Sequence, residues 1–166
     1  MKLIGTNGPD LLKGTNQNDK IVGFGADDAL YGKRGSDKMY GADGSDMLFG
    51  GRGADLLLGN VGDDFLFGGR GNDWLGGGAG SDILKGGKGK DTFAFGFGDL
   101  TYQPGDGVDT ILDFNAKKDK LFISGVKDAA AVYDADTGHV TLSTGGDDYH
   151  IATMTKGLSG VDIIVA

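Results

Sequence analysis

The chain has 166 residues, of which 34 are glycine, two are proline and none is cysteine, and its formal net charge is −8. All 24 acidic residues are aspartate. This excludes disulfides and thiolate metal sites, argues against nucleic-acid binding, which uses a basic face, and favours turns and strands over helices in one or two domains.

The N-terminal stretch MKLIGTNGPD has no apolar run. It predicts no cleavable secretory leader, and no segment of the chain is apolar enough to predict a membrane span. From Gly5 to Ala94 a nine-residue frame then repeats ten times. Each frame opens on glycine, from Gly5 to Gly86, and has aspartate at its sixth position: Asp10, Asp19, Asp28, Asp37, Asp46, Asp55, Asp64, Asp73, Asp82 and Asp91. The eighth position is always apolar, from Leu12 to Phe93. Three columns held in register over ten cycles mark a repeat architecture.

These frames resemble the RTX family, the hemolysin-type calcium-binding nonapeptide repeats of secreted bacterial toxins, proteases, lipases and alginate epimerases. The resemblance implies an all-β fold, a right-handed parallel β-roll with two frames per coil. In each frame six residues form a turn and three a short strand. Strand alternation puts position eight inside and positions seven and nine outside. Position four is glycine in eight frames, as a positive φ demands; at Gln17 and Ala26 distorted turns are expected.

Two frames per coil align Asp10, Asp28, Asp46, Asp64 and Asp82 in one row and Asp19, Asp37, Asp55, Asp73 and Asp91 in the other. Carboxylates one strand spacing apart repel by roughly 3–4 kcal/mol per pair at an effective dielectric near 20. Several such pairs rival the roughly 5–15 kcal/mol stability of a domain. A cation between turns reverses that balance. Calcium accepts six to eight oxygens, backbone carbonyls included, whereas magnesium wants a strict octahedron and zinc wants His or Cys. The resemblance implies several calcium ions, each using two aspartates 18 residues apart. The competing reading is a metal-free solenoid whose aspartates are only turn formers. Asp27, Asp43 and Asp63 read as solvated acids or minor helpers.

Splitting the frames by parity separates two outer faces. The odd face carries Leu11, Tyr31, Met47, Phe49, Phe65, Phe67 and Ile83; the even face carries Tyr40, Leu56, Leu58 and Trp74, with Lys20 and Lys38. The odd patch is larger than a monomer usually leaves bare. It is expected to pack against the C-terminal part, or else against a partner or a second copy.

Past Ala94 the period stops, dividing the chain into a roll over 1–94 and a C-terminal part over 95–166. Strands are predicted from Asp109, Asp119, Ala130, His139, Tyr149 and Asp162, with turns at Asp136–Gly138 and Thr144–Asp148. Together they read as an antiparallel β cap closing the last coil. GVDTILDF and KKDKLFISG are similar to the flank that follows the repeats in serralysin-type proteases. Asp109 and Asp113 are placed in a solvated loop, with a further ion as the alternative. The terminal SGVDIIVA resembles a type I secretion signal.

No catalytic constellation is found. Without glutamate there is no H-E-x-x-H motif, no serine sits in a G-x-S-x-G elbow, and no frame ends as a phosphate loop. His139 and His150 read as exposed strand residues. The expectation is therefore a non-enzymatic calcium-binding module of a secreted, extracellular bacterial protein, exported by a type I system and attached to an N-terminal catalytic domain. Repeats disordered at low cytosolic calcium would fold outside, where calcium modules bind at about 10⁻⁴–10⁻³ M. The alternative is a module that binds an extracellular polysaccharide or another cell-surface partner. Nucleic acid is not among the expected partners.

Overall fold

The computed structural model describes residues 1–95 and 108–124 in full, and beyond these the backbone of strands 129–134, 139–144, 147–154 and 163–165. The chain is an all-β parallel solenoid of about five turns, with no helix among the described residues. No helix there is long and apolar enough to cross a membrane.

Successive frames alternate between two sheets. One sheet runs in space through Lys2–Ile4, Lys20–Gly25, Lys38–Asp43, Leu56–Val61, Trp74–Ala79, Thr92–Phe95, Lys120–Ile123 and Ile163–Val165. The other runs through Leu11–Lys13, Ala29–Arg34, Met47–Arg52, Phe65–Arg70, Ile83–Lys88 and Asp109–Ile111. Asp147–Met154, His139–Thr144 and Ala129–Asp134 follow in the order of that second sheet. Register holds at 18 residues throughout the repeats, as in Leu48↔Leu66 and Leu57↔Leu75.

The strands differ from the three-residue expectation. From Lys20 to Lys88 each is six residues long and runs on into the next frame. Pairing covers positions seven to nine, skips the frame-opening glycine, and resumes at positions two and three, as in Tyr40↔Leu58 followed by Ala42↔Asn60. The glycine is thus a corner within a strand, and only positions four to six remain as a turn.

The position-eight side chains form the core in single file. Ile21, Leu30, Met39, Leu48, Leu57, Leu66, Leu75, Leu84 and Phe93 are fully buried, and Ile111 and Leu121 extend the file. Parallel pairing also continues past Ala94. Ile83↔Thr110 and Phe93↔Leu121 add Asp109–Ile111 and Lys120–Ile123 to the two sheets. These two strands were expected in an antiparallel unit; they join the roll because each repeats its pattern of aspartate, any residue, then an inward apolar residue. The antiparallel pairs are Ala129–Asp134 with His139–Thr144, and the latter with Asp147–Met154.

Candidate metal centre

Coil stacking places the ten predicted aspartates in two rows along the edges of the roll. From Asp19 to Asp91 all nine are buried; Asp10, in the first turn, is half-buried. Their contacts repeat as a ladder. From Asp10 to Asp73, the backbone N–H of each aspartate donates to Oδ1 of the aspartate 18 residues later, as in Asp46 to Asp64 at 2.8 Å and Asp55 to Asp73 at 2.9 Å. Oδ1 of each aspartate from Asp28 to Asp91 is therefore satisfied by the preceding coil.

The other oxygen is not. Oδ2 of Asp28, Asp37, Asp46, Asp55, Asp64, Asp73, Asp82 and Asp91 is buried without a hydrogen-bond partner. It faces the glycine that opens its own frame. A Cβ added at Gly50 would lie 2.5 Å from Asp55 Oδ2 and 2.7 Å from the Gly68 carbonyl oxygen. The glycine column thus leaves a lane occupied by one unpaired carboxylate oxygen per turn and bordered by carbonyl oxygens.

Burial raises the carboxyl pKa of the eight aspartates from Asp28 to Asp91, and the charge of neighbouring aspartates adds to it; Asp19 is held below the ordinary range by the N-terminal ammonium group. Asp46 and Asp55 are pushed up to about 6, Asp73 to about 7 and Asp64 to about 8. Loss of water is the largest cause for each, opposed by the backbone N–H and followed by the charge of neighbouring aspartates. Desolvation therefore outweighs the row repulsion emphasised by sequence spacing. Burying a leucine contributes roughly 1.5–3 kcal/mol, whereas an uncompensated buried charge costs several kcal/mol. A rung with one inward leucine and one stranded carboxylate does not stabilise itself.

The turn conformations sharpen the sequence reading. Position four has positive φ in eight consecutive frames, from Ala26 (66°) and Gly35 (115°) to Gly89 (148°). Ala26 therefore keeps the shared turn, contrary to the distortion expected there. Gln17 does depart from it, but so does Gly8, and in both turns the position-four N–H donates to a threonine Oγ1. The departure follows Thr6 and Thr15, not the missing glycine. Position two has positive φ in the same eight frames, although Phe24 (92°), Lys33 (82°), Ala42 (91°) and Asn60 (82°) stand there.

Two features were not anticipated. Position five carries a second ladder: Asn18 Oδ1 accepts from Ser36 N–H, Asp27 from Ser45, Asp63 from Ser81 and Asn72 from Lys90, at 2.8–2.9 Å. Asp27 and Asp63 are thus bonded between coils. Beyond the repeats, Asp109 and Asp119 are buried and accept from the N–H of Asp82 and Asp91, each at 3.0 Å. Asp109 was expected in a solvated loop; it instead prolongs the first row, and burial holds its carboxyl far above the usual range. Asp113 accepts from Gly86 and Gly87 N–H. The clue to the extended rows is the motif before Ile111 and Leu121, carried at spacings of 27 and 28 residues.

The donor set fits a hard cation. Every available donor in the lane is oxygen, and among the described residues no three His, Cys, Asp or Glu side chains gather at one point. An ion there would need carbonyls as well as carboxylates, which is calcium's ordinary chemistry.

The family described as RTX calcium-binding nonapeptide repeat (4 copies) matches residues 4–39, 40–75 and 71–99. Among solved structures the chain is similar to the extracellular lipase LipA from Serratia marcescens, at 22% identity and a TM-score of 0.38, covering 97% of this chain and 40% of that one. It is also similar to the AlgE6R2 subunit of the Azotobacter vinelandii mannuronan C5-epimerase, at 26% identity and a TM-score of 0.41, covering 100% of this chain and 93% of that one. The AlgE6R3 subunit of that epimerase aligns at 24% identity with a TM-score of 0.21, over 96% and 72%. No curated protein matches the chain. This chain spans 40% of the length of the lipase.

Proposed function

Since the chain belongs to the RTX calcium-binding nonapeptide-repeat family, we propose that it is a calcium-folded module of a secreted protein. Its residues Asp28, Asp37, Asp46, Asp55, Asp64, Asp73, Asp82 and Asp91 hold the ions between successive turns, and Asp10, Asp19, Asp109 and Asp119 prolong the rows at their ends. The supporting observation is the run of eight buried, unpaired Oδ2 atoms. A divalent ion would neutralise adjacent carboxylates and complete its shell with turn carbonyls. The chain's own part is to hold Oδ1 by the inter-coil N–H, which aims Oδ2 into the lane.

The linkage follows. Ion binding is folding free energy where the unfolded chain has no formed site. At low calcium the rows disfavour the roll; at the millimolar calcium outside a cell the roll forms. This switch suits type I export of an unfolded chain that then folds and stabilises an attached catalytic domain. The module itself performs no catalysis, and its antiparallel strands after Ala129 close the end of the roll as a cap. Far-ultraviolet circular dichroism during a calcium titration tests this reading, with magnesium in parallel. The expected result is a cooperative gain of β signal with calcium alone; a folded spectrum in excess chelator at neutral pH would refute it.

A further inference from the structure

Charge in the roll is sorted by the parity of the frames. The turns of the even frames, which carry the second row from Asp19 to Asp91, hold Lys33, Arg34, Arg52, Arg70, Lys88 and Lys90 at positions two, three and five, and no acid besides the row itself. All six are exposed. The turns of the odd frames, which carry the first row from Asp10 to Asp82, hold Asp27, Asp43 and Asp63, also exposed, and no cation. The strands repeat the division. Lys20 and Lys38 directly follow Asp19 and Asp37, and Lys13 and Lys85 directly precede glycines that open even frames, so every cation between Gly5 and Ala94 borders the second row.

Coil stacking makes each edge continuous. Arg34↔Arg52, Arg52↔Arg70 and Arg70↔Lys88 pair in register along the second row. On the first edge, Asp27 and Asp63 are fixed by the inter-coil bonds from Ser45 and Ser81 N–H, each at 2.8 Å. Beyond Ala94, Lys118 lies 3.8 Å from Asp119 Oδ1 at the end of the second row, while Asp113 on that edge is engaged by Gly86 and Gly87 N–H. The two lanes are otherwise alike: Oδ2 is buried and unpaired at Asp37, Asp55, Asp73 and Asp91 as it is at Asp28, Asp46, Asp64 and Asp82. What differs is the field around them. From Gly5 to Ala94 the first edge has eight carboxylates and no cation, and the second has five carboxylates and ten cations.

We propose that the two rows take up calcium unequally: the first row, from Asp28 to Asp82, binds tightly, and the basic edge makes the second row, from Asp37 to Asp91, a weaker set loaded only at higher calcium. Asp27, Asp43 and Asp63 are then affinity-setting residues for ions they do not touch. Their charge reaches the lane: after burial, Asp27 and Asp43 are among the causes that raise the Asp46 carboxyl, and Asp63 is among those for Asp64 and Asp82. A unit charge roughly 10 Å from a divalent ion in water changes its affinity about two- to fourfold at low salt. Each pair of second-row turns from Gly32 onward carries two or three cations. Opposite fields on the two edges therefore separate the rows by roughly tenfold or more, as charge count tunes calcium sites generally. The first row sets the calcium level at which folding begins, and the second extends the response to higher levels.

The proposal rests on the calcium reading above, and the test separates the two. Calcium binding to the full chain is followed by calorimetry and folding by circular dichroism, at about 0.01 M and about 1 M salt, where charge is felt over ~30 and ~3 Å. Wild type should show two classes of site at low salt, roughly tenfold or more apart, that converge at high salt. Arg34→Gln/Arg52→Gln/Arg70→Gln should tighten the weak class about tenfold and leave the tight class in place. Asp27→Asn/Asp43→Asn/Asp63→Asn should loosen the tight class roughly three- to tenfold. Asn18 and Asn72 already accept the position-five bond on the other edge, so asparagine removes charge and keeps the ladder. Calcium-dependent folding with a single class of site at low salt overturns the proposal, as does an arginine variant that leaves both classes unmoved or shifts the tight one. A chain that folds in chelator, or takes up no calcium, overturns the calcium reading and this proposal with it.

Discussion

In the turns at Asp10 and Asp19, a threonine four residues earlier gives its N–H and its Oγ1 to the aspartate's Oδ2, at 2.6 and 3.0 Å for Thr6 and at 2.6 and 2.9 Å for Thr15. In the eight turns from Asp28 to Asp91 no such donor exists, position two takes a positive φ, and Oδ2 is stranded. Asn115 caps Asp119 Oδ2 at the other end, at 2.8 Å. The first turn of each row and the last turn of the second are thus closed by protein donors, and on the proposed reading the turns between are the ones an ion serves. On that reading, a roll with every turn capped like the first two would not need calcium to fold.

The largest expected effect tests that division directly. Asp64→Asn removes a charge from the middle of a row and should raise the calcium midpoint of folding about tenfold or more, roughly 1.4 kcal/mol or greater. Asp10→Asn, where Thr6 already serves the carboxylate, should move it far less. Calcium titrations of both variants by circular dichroism check the contrast, and equal shifts would erase the distinction between end and middle.

Acid should partly replace the ion in the middle turns. Folded-state values of about 6 to 8 for Asp46, Asp55, Asp73 and Asp64 lie above those of the unfolded chain, so the folded roll binds more protons. That stability is fully present below the ordinary carboxylate range and is lost as pH rises through about 6 to 8. In chelator, lowering the pH from about 8 to about 5 should therefore increase β signal, whereas in calcium it should raise the metal midpoint, because protons compete with the ion. A chelated chain with no gain of structure on acidification would show that desolvation of these rows is not what holds it open.

Much of this was legible in the residues, for identifiable reasons. The aspartate and apolar columns have one residue type or class per position, so the two rows, the single-file core and the parity of the sheets could be read before any fold. The positive φ at position two could not. Gly51, Gly69, Gly78 and Gly87 stand there beside Phe24, Lys33, Ala42 and Asn60, because the strand pairing of positions two and three holds the backbone against its local preference. The coils beyond Ala94 were hidden by changed spacing, which breaks a period without breaking a register. The position-five ladder was hidden because Asn, Asp and Ser are ordinary turn residues whose partner lies 18 residues away.

The same substitution should have opposite signs in the two regions, with the smallest expected effect. Phe24 holds a φ of 92° while its side chain is 48% exposed, so little packing offsets the backbone strain. In the calcium-bound protein Phe24→Gly relieves that strain, worth about 1–2 kcal/mol, against some lost side-chain contact and a more flexible unfolded chain. The net expectation is a rise of about 2–4 °C in thermal midpoint, near 1 kcal/mol for a chain of this size. Thr15→Gly acts on a residue without positive φ. It deletes the Oγ1 bond to Asp19 and adds unfolded-state entropy, so the midpoint should fall by a similar amount. Parallel thermal melts decide the matter: should both variants move the same way, the conformational difference between the capped turns and the open ones would not be the source of their different demands for an ion.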